Sequence, residues 1–341
     1  MPLWEGKESC MKTLKISGRP WYCSPGARAL GALAVVFLLG ILFNADGAFF
    51  KWGTHRDMLR AVSVFGILAC GMTLVIISGG IDLSVGSILA LASVTFSLLT
   101  IHWQWAAPWA ILACLGLGMA CGVCSGALIA RAKMQPFIAT LAMMVFARGL
   151  AKWVTVGEKI SQAVKQPDGT FAYVDLPPLF TWIDSRILFD NISVVTLIFG
   201  VCLLLCWVLL DKLRCGRYLY AVGGNEEAAR LSGVPIDLIR IVTYGVSGLC
   251  CAVAGICQAC QEYQGDPEAG AAYELSAIAM VVIGGTSLNG GKGSIWLTLI
   301  GVLTIGYLDK ILSINAVGED KRLMLTGIIV VAAVLLQKSR R

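Results

Sequence analysis

The chain has 341 residues, is 57% hydrophobic and 14% charged, and carries a formal net charge of +6. With a mean hydropathy of +0.78, it is too apolar for a soluble globule and reads as a polytopic membrane protein in one domain rather than the two or three its length would allow. The modest positive charge forms no basic stripe, so nucleic acid is not an expected partner.

The first 28 residues carry Lys7, Lys12, Lys15, Arg19 and Arg28 ahead of the apolar run 29–43. The basic region is long and no small-x-small cleavage site follows, so the expectation is an uncleaved first span preceded by a cytoplasmic segment, 1–28. Apolar runs then place spans near 28–43, 60–78, 86–101, 107–130, 136–155, 190–210, 239–260, 275–285, 294–312 and 323–337, the eighth short enough to be a half helix. The expected fold is all-α with about ten transmembrane helices, or eight if the broken segments re-enter. Sixteen of the 27 lysines and arginines fall in the segments that share a side with the amino terminus and eight in the opposite segments. This bias puts both termini, including the tail 338–341, in the cytoplasm, with a single membrane domain over 29–337. Trp52, Trp103, Trp105, Trp109, Trp153 and Trp182 cluster at the outer ends, as interfacial anchors do.

The second and third spans are separated by Gly79-Gly80-Ile81-Asp82-Leu83-Ser84-Val85-Gly86. The apolar runs on either side of it look barely long enough to cross a bilayer. Backbone freed by such a break survives in hydrocarbon only where protein or a water-filled cavity satisfies it. A carboxylate there costs roughly 3 kcal/mol on insertion scales, so Asp82 is expected to face a bundle interior or an aqueous end. Asp82 or Ser84 could also cap the helix that resumes at Val85, which does not exclude lining a path.

The largest outer segment, 157–190, holds the turn Gln166-Pro167-Asp168-Gly169, then Pro177-Pro178 and a short helix signal. It suits a docking face better than an enzyme, having no histidine and no nucleophile set. Arg148 and Lys152, one turn apart in the fifth span, are expected to snorkel outward rather than face a cavity. Most cysteines, among them Cys70, Cys114, Cys202, Cys206, Cys250 and Cys251, stand in apolar runs and read as small buried hydrophobes. Cys121-Gly-Val-Cys124 and Cys257-Gln-Ala-Cys260 have zinc-ligand spacing but lie in apolar helices away from His55 and His102, and no metal is expected.

Residues 75–91 are echoed by 281–297, whose break contains Gly284-Gly285-Thr286-Ser287-Leu288-Asn289. Interrupted helices in the two halves of a transporter point to a substrate path, with chance likeness between glycine-rich breaks as the competing explanation. The run Gly290-Gly291-Lys292-Gly293-Ser294 is not a phosphate-binding loop, because Thr286 and Gly293 stand where a P-loop needs glycine and Ser or Thr. The polar inner loop 211–240 is written like a short helix: Asn225 can cap it, Glu226 and Glu227 suit its positive end, and Gly233 followed by Pro235 stops it. Two turns have little stability alone, so the membrane domain or a cytoplasmic partner should hold them.

Glu227-Ala228-Ala229-x-x-x-Gly233 resembles the coupling-helix loop of bacterial ATP-binding-cassette (ABC) importer permeases. Together with 216–225, 79–86 and Arg148-Gly149-Leu150-Ala151, it is similar to the monosaccharide permeases of the ribose, xylose and galactoside type, across roughly 60–336. The resemblance implies a homodimeric or heterodimeric permease in the bacterial inner membrane, clamped by cytoplasmic ATPase subunits and fed by a periplasmic sugar-binding protein. ATP would be used by the partner subunit, with no cofactor bound by this chain. Asn225, Glu226, Glu227, Ala228, Ala229 and Gly233 would then serve ATPase coupling. A neutral polyhydroxylated solute needs hydroxyl and amide partners, which makes Asp82, Ser84, Thr140, Gln258, Ser287 and Asn289 the path candidates and Gly79, Gly80, Gly86, Gly284 and Gly285 the hinges. Gln261, Glu262 and Asp266 mark an outer docking end. The rival reading is an ion-coupled secondary carrier, for which Asp82 is nearly the only intramembrane carboxylate.

Overall fold

A computed structural model describes residues 24–165, 170–318, 320–322, 324–325 and 327–328. The basic segment before Ser24, the turn at 166–169, most of the expected last span and the tail 338–341 lie outside these residues. Among the described residues the chain is all-α apart from two small hairpins, β1 (Ala163–Lys165) with β2 (Phe171–Tyr173) and β3 (Arg186–Ile187) with β4 (Ile192–Ser193).

Among the described residues, eight helices are long and apolar enough to cross a membrane. Six of them are α1 (Pro25–Leu42), α2 (Trp52–Ile77), α3 (Val85–Ser97, prolonged by a wider turn to His102), α4 (Ala107–Ala130) and α5 (Pro136–Thr155), then, after the short α6 (Pro178–Asp184), α7 (Val194–Asp211). Next come α8 (Arg214–Gly224) and α9 (Glu226–Leu231), then the other two spans, the long α10 (Ile236–Glu262) and α12 (Ile295–Ile314), with the 11-residue α11 (Tyr273–Ile283) between them. Both expected breaks are present, between α2 and α3 and between α11 and α12.

The expectation that the run before the first break barely spans is corrected. α2 starts at Trp52 and has 26 residues, about 39 Å of helix. Arg56, Asp57 and Arg60 interrupt the hydropathy but not the helix, because each has a partner in the segment between α5 and α7. Arg60 pairs with Asp184 at the end of α6, Arg186 of β3 pairs with Asp57 at 2.6 Å, and Arg56 reaches Asp190 at 3.0 Å. Helix α6 is no loose surface helix either. Phe180 and Ile183 are buried, and the Phe180 ring stacks on Phe96 of α3 at 5.3 Å.

Helices α2 and α3 are almost wholly enclosed, whereas α1 and α5 leave most of their surface outward. α10 packs most extensively on α4. Gly118, Gly122 and Gly126 line one side of α4 at four-residue spacing, the small-residue pattern that lets membrane helices approach closely. A Cβ at Gly118 would lie 2.4 Å from the Gly248 carbonyl oxygen, and one at Gly122 2.1 Å from that of Tyr244. The seam is backbone against backbone.

Candidate functional site at the glycine junction

The two breaks meet. After Ile77 the chain turns through Gly79, in a left-handed conformation (φ 83°) open to glycine at little cost. The second break closes on itself, with Ser287 N–H donating to the Lys292 carbonyl at 2.9 Å and Gly290 N–H to the Ser287 carbonyl at 3.0 Å. It then docks on the first, as Gly291 N–H donates to the Ile77 carbonyl at 2.9 Å and a Cβ at Gly290 would lie 2.9 Å from the Gly79 Cα. A third strand of glycine, Gly223-Gly224 at the end of α8, completes the contact. A Cβ at Gly223 would lie 1.8 Å from the Ile77 carbonyl oxygen and 2.7 Å from the Gly291 nitrogen. The Tyr220 hydroxyl donates to the Gly293 carbonyl at 2.9 Å and braces the same corner.

From this junction the chain climbs back into the bundle. Asp82 is 1% exposed and accepts three hydrogen bonds, from Ser84 N–H at 2.9 Å, the Ser84 hydroxyl at 2.5 Å and the Ser247 hydroxyl of α10 at 2.9 Å. A Cβ at Gly71 of α2 would sit 3.0 Å from the Ser247 Cα, so Asp82 lies at the depth of Gly71, above the junction end of α2. The capping alternative is corrected. Neither side chain accepts from the first turn of α3; the Ser84 hydroxyl is spent on Asp82, which ties the break to α10. Gly86 follows, close-packed on the loop before α11, where its Cβ would lie 2.1 Å from the Gly270 carbonyl oxygen. α11 therefore begins at the depth of the start of α3 and runs to the junction, a half helix of about 16 Å.

Short α9 hangs from the junction through Gly223-Gly224. The Asn225 side chain accepts from Ala228 N–H at 3.0 Å, and Gly233 (φ 78°) ends the turn. The six residues divide by face. Glu226 pairs with Arg230 at 2.9 Å and with Arg240 of α10, and Ala229 is buried, so these two hold the helix to the bundle. Glu227, Ala228 and Leu231 face outward, Leu231 with 85% of its surface exposed.

A family described as "Branched-chain amino acid transport system / permease component" matches residues 56–334. The chain belongs to this family of permeases. Ribose import permease protein RbsC of Escherichia coli (strain K12) is 37% identical over 334 residues, 97% of the permease described here and 100% of its own length. The protein of the same name from Bacillus subtilis (strain 168) is 39% identical over 311 residues, covering 91% of this permease and 92% of its own length. Galactofuranose transporter permease protein YtfT of Escherichia coli (strain K12) is 36% identical over 297 residues, 86% of this permease and 82% of its own length. No solved structure matches.

The permease does not gather all its sequence candidates at one place. Gly79 and Gly80 stand at the junction, Gly80 against the Tyr244 hydroxyl. Ser287 closes the second break and Asn289 is exposed at its tip. Gly284 packs on α12 at Leu297, and Gly285 (φ 102°) on Pro25 of α1. Thr140 binds back to the Pro136 carbonyl of its own helix at 2.9 Å and touches the Ile81 carbonyl at 3.3 Å. Gln258 lies elsewhere, near the carboxy-terminal end of α10, bonded to Glu262.

A cavity of about 530 Å³ opens instead between α2, α11 and α12, lined among others by Phe65, Tyr273, Ser276, Met280 and Asp309. None of the polar path candidates lines it. The Phe65 and Tyr273 rings lie 4.2 Å apart. Tyr273 and Ser276 were hidden in sequence because one short apolar helix gives no sign of which face looks into a cavity. Arg322 closes one side through Asp309 at 3.1 Å.

Arg148 of the permease neither snorkels nor faces a cavity, which corrects the expectation. Its guanidinium donates to the carbonyls of Pro267 at 2.6 Å and Ala269 at 2.7 Å, pinning the loop that places Gly270 on Gly86. Lys152, one turn on, holds Glu268 of the same loop at 2.6 Å, and that bond keeps the Glu268 carboxyl below its ordinary range. Beyond α5, Lys159 pairs with Asp266 at 2.8 Å, whose hydrogen bond and charge hold the ammonium above its usual value. Arg148→Ala is expected to destabilise the permease by about 2 kcal/mol, the scale of hydrogen bonds to a charged group. The check is the thermal unfolding midpoint in detergent; an unchanged midpoint would show that the loop is held by other means.

Proposed function

We propose that the chain is the membrane subunit of an ABC importer for a monosaccharide. It pairs with a second permease subunit, receives solute from a periplasmic sugar-binding protein and is driven by a cytoplasmic ATPase. Relatives named for ribose and galactofuranose support the sugar class, and family membership supports an ATPase and a binding protein as partners in general. The orientation has both termini and α9 in the cytoplasm, as the distribution of lysine and arginine supports.

The observation that carries the coupling reading is the continuity of α9 with both breaks. Glu227, Ala228 and Leu231 offer the outward face to an ATPase groove, while Asn225, Glu226, Ala229 and Gly233 keep the helix formed and attached. ATP binding in the partner presses on that face, and the push reaches Gly223. With no side chain in between, it passes to Ile77 and Gly291 together. The α2/α3 and α11/α12 breaks then move in concert, as rigid-body alternation of a transporter requires. The solute follows the α2, α11 and α12 face, where Phe65 and Tyr273 supply aromatic surface and Ser276 a hydroxyl. The ion-coupled alternative needs a carboxylate free to trade partners; Asp82 has three donors fixed on it.

Affinity purification of tagged chain from its native membrane in mild detergent tests this. A stoichiometric ATPase carrying Gly-x-x-x-x-Gly-Lys-Ser/Thr is expected, and Glu227→Arg should strip that subunit and abolish uptake at unchanged membrane abundance. A chain that emerges alone and moves sugar in liposomes without ATP would overturn the proposal.

A further inference from the structure

Helix α8, which leads into the glycine junction, and the residue pair before it carry cations that no carboxylate among the described residues neutralises. In the same loop Arg230 and Arg240 are both taken up by Glu226. By contrast, Lys212, Arg214 and Arg217 are exposed and form no ion pair among the described residues, and the neighbouring Asp211 bonds none of them. The helix cannot swing this face away, because a Cβ at Gly216 would lie 2.0 Å from the Leu210 carbonyl oxygen. α8 is thus folded hard onto the last turn of α7, with Leu219 and Val222 buried beneath it.

The surface beside it is built like a membrane boundary. α7 is the most apolar span among the described residues, and its outward residues Leu204 and Leu205 lead down to Trp207. The Trp207 ring lies 6.1 Å from that of Trp296, at the start of α12, and the Lys212 ammonium sits 5.2 Å from the Trp207 ring centroid. Apolar helix surface, a tryptophan pair and then three cations without an ion pair among the described residues match, in order, what a phospholipid presents: acyl chain, interface, phosphate. Basic pockets at cytoplasmic ends of membrane helices bind anionic headgroups in this way.

We propose that Lys212, Arg214 and Arg217 hold the phosphate of an anionic phospholipid of the inner leaflet, with its acyl chains along α7 and its glycerol against Trp207 and Trp296. This rests on the inward orientation given above.

The test is to strip the purified permease–ATPase complex of lipid, equilibrate it with vesicles of phosphatidylglycerol and phosphatidylcholine, and count retained lipid by native mass spectrometry. Wild type is expected to keep phosphatidylglycerol in preference. Lys212→Gln/Arg214→Gln/Arg217→Gln is expected to keep at least fivefold less of it with phosphatidylcholine unchanged, and Lys133→Gln, whose partner is Asp237, to match wild type. If the triple variant fails to assemble, Arg217→Gln alone carries the measurement, with at least a twofold loss expected. Equal retention by variant and wild type overturns the proposal, as does displacement of the lipid by soluble glycerol phosphate. Loss of the ATPase with lipid retained would assign the face to that protein and also overturn it. Maleimide labelling of Arg217→Cys, read by peptide mass, tests orientation separately: an impermeant reagent that reaches it in right-side-out vesicles refutes the orientation while leaving the lipid count interpretable.

Discussion

Gly223→Ala is expected to lower sugar uptake at least tenfold while leaving the protein in the membrane at normal abundance. The added methyl would have to occupy space 1.8 Å from the Ile77 carbonyl oxygen and 2.7 Å from the Gly291 nitrogen. Both are backbone atoms, with no rotamer to turn aside. The accommodation is separation of the two breaks and loss of the 2.9 Å bond between them. Gly224→Ala is the internal control, since nothing lies within 4 Å of its Cβ position, and it should retain near-normal uptake. Equal uptake by both variants would show that the contact among the three glycine segments is incidental.

Asp82→Ala and Asp82→Asn should differ as sharply. Alanine leaves Ser84 N–H and the Ser84 and Ser247 hydroxyls without their acceptor in a buried site; each orphan costs about 1–3 kcal/mol. Loss of uptake and a lowered unfolding midpoint are expected. Asparagine keeps an oxygen for both Ser84 bonds, and the Ser247 hydroxyl can rotate to accept from the amide, so ATP-driven uptake should persist. Folded but inactive Asp82→Asn would instead mean that the charge itself is used, and would revive an ion-coupled carrier.

What could be read in the sequence was local. The interruption at Gly79 to Gly86 shows in hydropathy, and α9 shows in its cap, its paired glutamates and its terminal glycine, all within a dozen residues of one another. The face-by-face division of α9 was not legible: Glu226 and Glu227 look alike until Arg240, on the next helix, claims one of them. Nor could sequence show that Gly79, Gly223 and Gly290 touch, since their contact is made by helices far apart in the chain. Arg56, Asp57 and Arg60 misled for the opposite reason, because charges that end a hydropathy window do not end a helix when Asp184, Arg186 and Asp190 await them. The four-residue spacing of Gly118, Gly122 and Gly126 was visible, but among 38 glycines it stood out only once α10 lay against it.

That seam has a kinematic consequence. Two helices joined through side chains can slide, since rotamers relax to absorb the shift. α4 and α10 meet backbone to backbone at Gly118, Gly122 and Gly248, and steric exclusion removes sliding and rolling from their relative freedom. The pair is therefore expected to move as one unit, with α4 following a displacement applied at the Arg240 end of α10.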